Sequence, residues 1–184
     1  SWQLITTSDL VYDGWNEIAE TTTTDESTLT NYYVWGADLS GSLQGAGGIG
    51  GLIAATIATN QTGSVNLAYG YDANGNVTVL LAGGNEIPYT LAAAYEYDPF
   101  GRLIAQRTTP GHETLAKANP FRFSTKYWDN VTGLGYWGYR WYSPEMGRWL
   151  NRDPIKERGG LNLFRYCRNT PLTLRDALGK IECH

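Results

Sequence analysis

One turn phrase recurs along this chain and constrains its fold more than any other feature. Tyr12-Asp13-Gly14, Tyr69-Gly70-Tyr71-Asp72-Ala73-Asn74-Gly75-Asn76 and Tyr95-Glu96-Tyr97-Asp98-Pro99-Phe100-Gly101-Arg102 share one pattern: an aromatic run reaches Asp, Gly follows, and an apolar run returns. Each copy reads as a β-hairpin. Asn74-Gly75 suggests a type I′ turn, which needs φ > 0 at both central residues. Asp98-Pro99-Phe100-Gly101 carries the Pro and Gly placement of a type I turn. Asp72 and Asp98 stand 26 positions apart, but Asp13 lies 59 before Asp72, so the period is loose. A repeat that cannot bury its own face must stack on neighbours. The expected fold is therefore all-β, an array of β-hairpins.

The composition agrees. Thirteen Tyr, seven Trp and 22 Gly suit strands joined by tight turns. Charged residues are 17% of the chain, below the average of about 25%. A formal charge of −4 argues against a general nucleic-acid surface. The apolar stretch Ile49–Ala58 is too short to span a bilayer and reads as a buried strand or short helix. Strands are expected at residues 2–5, 18–20 and 32–35, with Thr21–Thr30 as a polar bridge. A Gly-rich loop is expected at 36–51, two hairpins within 65–107, and one helical turn at 113–118. From Pro120 onward aromatics and arginines crowd together, giving a division into a hairpin region at 1–118 and an aromatic-rich plug at 119–184. The plug rings Tyr136, Tyr139, Trp141 and Trp149 are expected to pack on residues 65–107, making one cooperative unit.

Several chemical motifs fail on inspection. Gly45-Ala46-Gly47-Gly48-Ile49-Gly50 has the spacing of a dinucleotide loop but lacks the strand–helix setting that chemistry needs. Asp72–Asn76 resembles a calcium loop without its closing Glu. His112 and His184 have no partners at metal-ligand spacing. No cofactor or metal is expected. Cys167 and Cys183 either pair or stay reduced. Trp128, Trp137, Trp141 and Trp149 suit either core packing or stacking on sugars.

The tail carries a series of phrases in fixed order. They include Asn119-Pro120-Phe121-Arg122-Phe123, Gly138-Tyr139-Arg140-Trp141-Tyr142-Ser143-Pro144, Gly147-Arg148-Trp149-Leu150-Asn151-Arg152-Asp153-Pro154-Ile155 and Asp176-Ala177-Leu178-Gly179. In this the chain resembles the RHS repeat-associated core domain, and its hairpin phrases are similar to the YD repeats that precede such cores. The resemblance implies a spiral, shell-like wall of hairpins closed by a core or plug, within a larger bacterial secreted or cell-surface protein. The partners it implies are the rest of the same RHS chain and an attached C-terminal cargo, often a toxin. Two further readings stand beside this structural one: an adhesion module for glycan or another cell-surface partner, and an aspartyl autoprotease acting once in cis. For the last, the resemblance points to Asp153 and Asp176, with Arg152 beside them, and to a cleavage edge at Gly179, Lys180 and Ile181. Two carboxylates sharing one proton suit that chemistry, one acting as base and the other as acid. The family's Asp-Pro-x-Gly-Leu appears here with Ala177 and Lys180 in place of Pro and Leu.

Overall fold

A computed structural model describes residues 6–59, 63–84 and 87–180. Eight strands form one antiparallel sheet whose spatial order is the sequence order: β1 (Thr6–Asp13), β2 (Asn16–Thr24), β3 (Thr28–Trp35), β4 (Leu52–Thr59), β5 (Gly63–Tyr71), β6 (Val77–Gly84), β7 (Ile87–Tyr97) and β8 (Leu103–Thr108). A six-residue helix, α1 (Glu113–Ala118), leads into a small second sheet of β9 (Tyr127–Asp129), β10 (Leu134–Tyr136), β11 (Trp141–Ser143) and β12 (Arg148–Trp149). The all-β expectation holds. Every pairing in the large sheet is antiparallel between sequence neighbours, which tight turns suffice to connect. The strand expected at residues 2–5 lies outside the described residues.

The second and third turns share one chemistry, and it is not type I′. Gly75 N–H donates to Asp72 O at 3.1 Å, and Asp72 N–H donates to Asn76 O at 3.1 Å. Gly101 with Asp98, and Asp98 with Arg102, repeat this at 3.0 and 2.9 Å. Gly75 and Gly101 take φ of +75° and +86°, whereas Asn74 does not reach positive φ. The carboxylate explains the difference. Asp72 Oδ1 accepts from the amides of Asn74 and Asn76, and Asp98 Oδ1 from those of Phe100 and Arg102. An Asp that gathers the amides two and four positions ahead fixes a longer loop than a bare Asn-Gly pair would. A second correction concerns Thr21–Thr30. Thr21–Thr24 and Thr28–Thr30 extend β2 and β3, and their hydroxyls pair across the ladder, Thr21 with Thr30 at 3.0 Å and Thr23 with Thr28 at 3.3 Å. β-branched side chains favour the pleat despite their polarity.

The phrase uses Tyr because its hydroxyls are needed as well as its rings. Tyr97 donates to Val77 O at 2.9 Å, Tyr95 to Ala116 O at 3.1 Å, Tyr69 to Asn119 Oδ1 at 3.2 Å, and Tyr71 to Leu52 O. The buried face of the sheet, with Leu52, Leu67, Val77, Leu80 and Ala93 wholly enclosed, forms one core with Phe121. A second core joins Phe123, Trp128, Trp137, Tyr142, Trp149 and Tyr166. The rings Tyr136, Tyr139, Trp141 and Trp149 mainly meet neighbours other than residues 65–107. Tyr136 stacks on Trp141, Tyr139 on Trp15 of the β1–β2 turn, and Trp149 on Trp137 and Tyr142. Contact with residues 65–107 runs through Tyr97–Phe123 and through Tyr142, which donates to Phe100 O at 2.7 Å.

Residues 121–126 thread between the second hairpin and the Gly-rich loop. Thr125 Oγ1 donates to Gly75 O at 2.7 Å and accepts from Gly50 N–H at 2.8 Å, while Ser124 N–H donates to Asn76 Oδ1 at 2.8 Å. The glycines of that loop do not cradle an external phosphate. The amides of Ala46 and Gly48 point at the chain's own Asp38 carboxylate, at 2.7 and 3.1 Å.

Gly75→Ala should separate tertiary fit from backbone preference. A Cβ there would meet Ile49 Cγ2 at 2.5 Å. The left-handed penalty of about 1–2 kcal/mol and an overpacking cost of about 1–3 kcal/mol together predict a loss of about 2–5 kcal/mol. Gly133→Ala has similar φ, +70°, and open space around it, so only the backbone penalty should appear. Urea denaturation of the two variants measures the difference.

Candidate functional site

Asp153 and Asp176 come from separate turns and meet at a third residue. Asp153 follows β12 in a turn where its Oδ1 accepts Ile155 N–H at 2.9 Å, while its own N–H donates to Leu163 O at 3.0 Å. Asp176 opens the final turn, and its Oδ1 accepts the amides of Leu178, Gly179 and Lys180 at 3.3, 2.7 and 2.9 Å. Between them lies Arg140. Its Nη2 is 3.1 Å from Asp153 Oδ2 and 3.2 Å from Asp176 Oδ2, and all three side chains are completely buried. The approach to Asp153 lacks hydrogen-bond alignment, whereas Asp176 accepts a proper bond.

Arg140 is the residue that sequence reasoning missed. Arg152 is exposed, and the guanidinium between the carboxylates belongs to Arg140. The guanidinium also donates through Nη1 to Leu163 O at 3.2 Å and sits 4.3 Å above the Trp149 ring. Trp137 Nε1–H holds the Asp176 carbonyl at 2.9 Å, and Tyr139 N–H holds that of Leu178 at 3.2 Å. Of the expected cleavage edge, Gly179 and Lys180 lie against Asp176; Ile181 is outside the described residues. Gly179 has φ +76° and packs against the Arg140 backbone, so side chains are disfavoured there on both counts.

A buried lysine completes the surroundings. Lys126 Nζ donates to Gly47 O at 2.6 Å and Ala177 O at 2.8 Å, tying the Gly-rich loop to the last turn. Burial pushes its ammonium down to about 8, partly opposed by Asp176 and Asp38. Burial pushes the Asp176 carboxyl up to about 6, against the pull of Arg140 and of the three amides. Two carboxylates and one guanidinium carry a surplus negative charge in a water-poor site. Such a group takes up a proton under mild acid far more readily than an exposed Asp does. Among the described residues, no group of three or more His, Cys, Asp or Glu is placed to hold a metal. No helix there is long and apolar enough to cross a membrane. Cys167 is buried in the second core, and Cys183 lies outside the described residues.

The fold recurs in solved structures. The TcdB2-TccC3 complex, solved also without its hypervariable C-terminal region, superposes on 95% of this chain with a TM-score of 0.71 and 27% identity, over 8% of its own length. The chain is similar to RHS-type toxins and Tc toxin C components. The toxin subunit YenC1 of Yersinia entomophaga is 38% identical over 115 residues, 61% of this chain and 11% of that protein. The toxin protein Tse5 of Pseudomonas aeruginosa is 39% identical over 80 residues, 44% of this chain and 6% of that protein. No protein-family model matches the sequence. The chain thus matches one segment of these proteins and spans about a tenth or less of their length.

Arg140→Met should cost about 3–5 kcal/mol at pH 7, because two buried carboxylates lose their counter-charge. The sign of the pH effect follows from linkage. A carboxyl whose folded value exceeds its unfolded one favours folding at low pH and loses that benefit as pH rises. The variant, with the Asp176 carboxyl raised further, should therefore recover part of the loss at pH 5. Denaturant midpoints at the two pH values check this.

Proposed function

We propose that this chain forms the end of an RHS shell, where it sheathes a C-terminal cargo, and that Asp153 and Asp176 cut the chain in cis beyond Gly179. Its hairpin region, 1–118, and its plug, 119–184, act in this reading as one cooperative unit. The observation carrying the proposal is the burial of both carboxylates on one guanidinium, with Asp176 bonded to the amides of Gly179 and Lys180. The hypervariable C-terminal region of the TcdB2-TccC3 complex supports placing a cargo after this edge.

In the proposed reaction, water adds to the carbonyl carbon of the scissile peptide. Asp153, whose carboxylate lies 3.1 Å from Arg140 Nη2, accepts the water proton. Asp176, pushed up to about 6, supplies a proton to the departing amine as the C–N bond breaks. One water is consumed, and a carboxylic acid and an amine result. Lys126 positions the edge through the Ala177 carbonyl. The neutral form of Asp176 predominates at pH 5 and falls to roughly a tenth at pH 7, so cutting should slow by about tenfold over that range.

The test uses the full chain with a folded reporter fused after His184, followed by intact mass over time at pH 5 and pH 7. The expected result is release of the reporter, faster at pH 5, and abolished by Asp153→Asn or Asp176→Asn with the fold retained. An uncut wild-type fusion at both pH values would remove the catalytic part of the proposal and leave the sheath. Folding of residues 119–184 alone as a cooperative unit would remove the single-unit part.

A further inference from the structure

A second buried carboxyl lies away from this cluster, beside a cavity of about 300 Å³ between the β1–β2 turn and the plug. Glu17, on β2, is 2% exposed and faces this space. Its Oε2 accepts only a long bond of 3.5 Å from Tyr12, and its Oε1 has no hydrogen-bond partner. A buried carboxyl oxygen left unsatisfied in a native fold calls for a partner. The protein supplies aromatic rings around it rather than a cation. Tyr12, Trp15, Trp35, Tyr127 and Trp137 contribute to the cavity wall. Trp35 is fixed there by its indole N–H, which donates to Glu17 O at 2.6 Å. Trp15 is held by Tyr139 and is partly exposed, so the cavity opens to solvent on that side. The one cation in the wall, Lys126, is already committed to two backbone carbonyls.

Ring faces carry negative electrostatic potential and attract cations, more strongly where water is excluded. Several rings enclosing one unsatisfied carboxyl form a receptor for a compact positive charge with an apolar coat. We propose that this cavity binds an organic cation, an alkylammonium or quaternary ammonium group, with Glu17 as its counter-ion and Trp15 as the outer ring of the cage. The inference goes beyond the shell and cleavage reading and does not rest on it. The chemistry is shared by a free amine and by a lysine side chain presented on a peptide.

Proton linkage gives the site a signature. Burial and the neighbouring Glu20 push the Glu17 carboxyl up to about 8, so it is mostly neutral at pH 7 when no cation is present. A bound cation favours the ionised form, so binding expels a proton and strengthens as pH rises. The other groups facing Glu17 are accounted for. Tyr12, Tyr33, Tyr69 and Tyr127 are all pushed up by burial and stay neutral across the working range. Lys126, pushed down to about 8, also loses charge there and would reduce repulsion of a ligand. Only the Glu17 variant separates the two contributions.

The experiment titrates the full 184-residue chain with tetramethylammonium, n-butylammonium and N-acetyl-lysine amide at constant ionic strength, read by calorimetry at pH 6, 7 and 8. The neutral control is tert-butanol. Saturable binding of the cations is expected, at least tenfold tighter than tert-butanol and rising at least tenfold from pH 6 to pH 8. Preference for N-acetyl-lysine amide would assign the site to a peptide-borne lysine, and preference for the simple ammonium ions to a free amine. Glu17→Gln replaces a carboxyl that is mostly neutral in the fold with a neutral group of the same shape, so it should fold and lose at least tenfold in affinity together with the pH dependence. Trp15→Ala, at a turn, should weaken binding at every pH. No cation binding up to 100 mM, equal binding of tert-butanol, or undiminished affinity in Glu17→Gln would each overturn the proposal. So would a pH dependence that persists undiminished in Glu17→Gln, because it would then belong wholly to Lys126.

Discussion

The C-terminal edge of this protein depends on one buried guanidinium. Arg140 brings Asp153 and Asp176 together from separate turns, and among the described residues no other cation forms an ion pair with either. An isolated buried carboxylate is costly, and two are prohibitive without a cation. The turn that ends in Gly179 and Lys180 is built on Asp176, so its geometry follows from that ion cluster. The eight-stranded sheet supplies the floor, and residues 121–126 supply the link. Lys126 reaches from that link to the same turn.

The sheet itself shows how a repeat becomes a wall. Asp72 and Asp98 gather their own loop amides, Gly75 and Gly101 take the left-handed position, and Tyr71, Tyr95 and Tyr97 close backbone carbonyls on other segments. No hairpin is complete alone, because its Tyr hydroxyls and apolar face are satisfied by the next segment. This is the physical content of a stacked β-array, and it accounts for the single direction in which the strands follow one another.

Much of this was legible in the residues. The recurring Tyr–Asp–Gly phrase located the hairpins, and the ordered tail phrases singled out Asp153 and Asp176. Arg140 was not legible as their partner, although the phrase containing it was noticed, because the ion cluster joins residues 36 positions apart through the tertiary fold. The resemblance points to Arg152, yet adjacent residues on an extended turn point different ways, and Arg152 faces solvent. The Thr-rich run was misread because polarity was weighed above β-branching. Asn74-Gly75 was assigned the wrong turn because the reach of the Asp72 carboxylate was left out. Glu17 gave no signal at all. Its sequence neighbourhood is that of an ordinary strand start, and only the fold encloses it in rings.

The most direct test of the Arg140 account is residue-resolved hydrogen exchange in wild type and Arg140→Met, comparing the Gly179 and Lys180 amides with those of the sheet core at Leu80 and Ala93 in the same molecules. The account predicts that wild type protects the edge amides, and that the variant loses this protection by at least a hundredfold relative to the sheet. Edge amides that keep their protection in proportion to the sheet would contradict it, because the turn would then stand without the guanidinium that is said to build it.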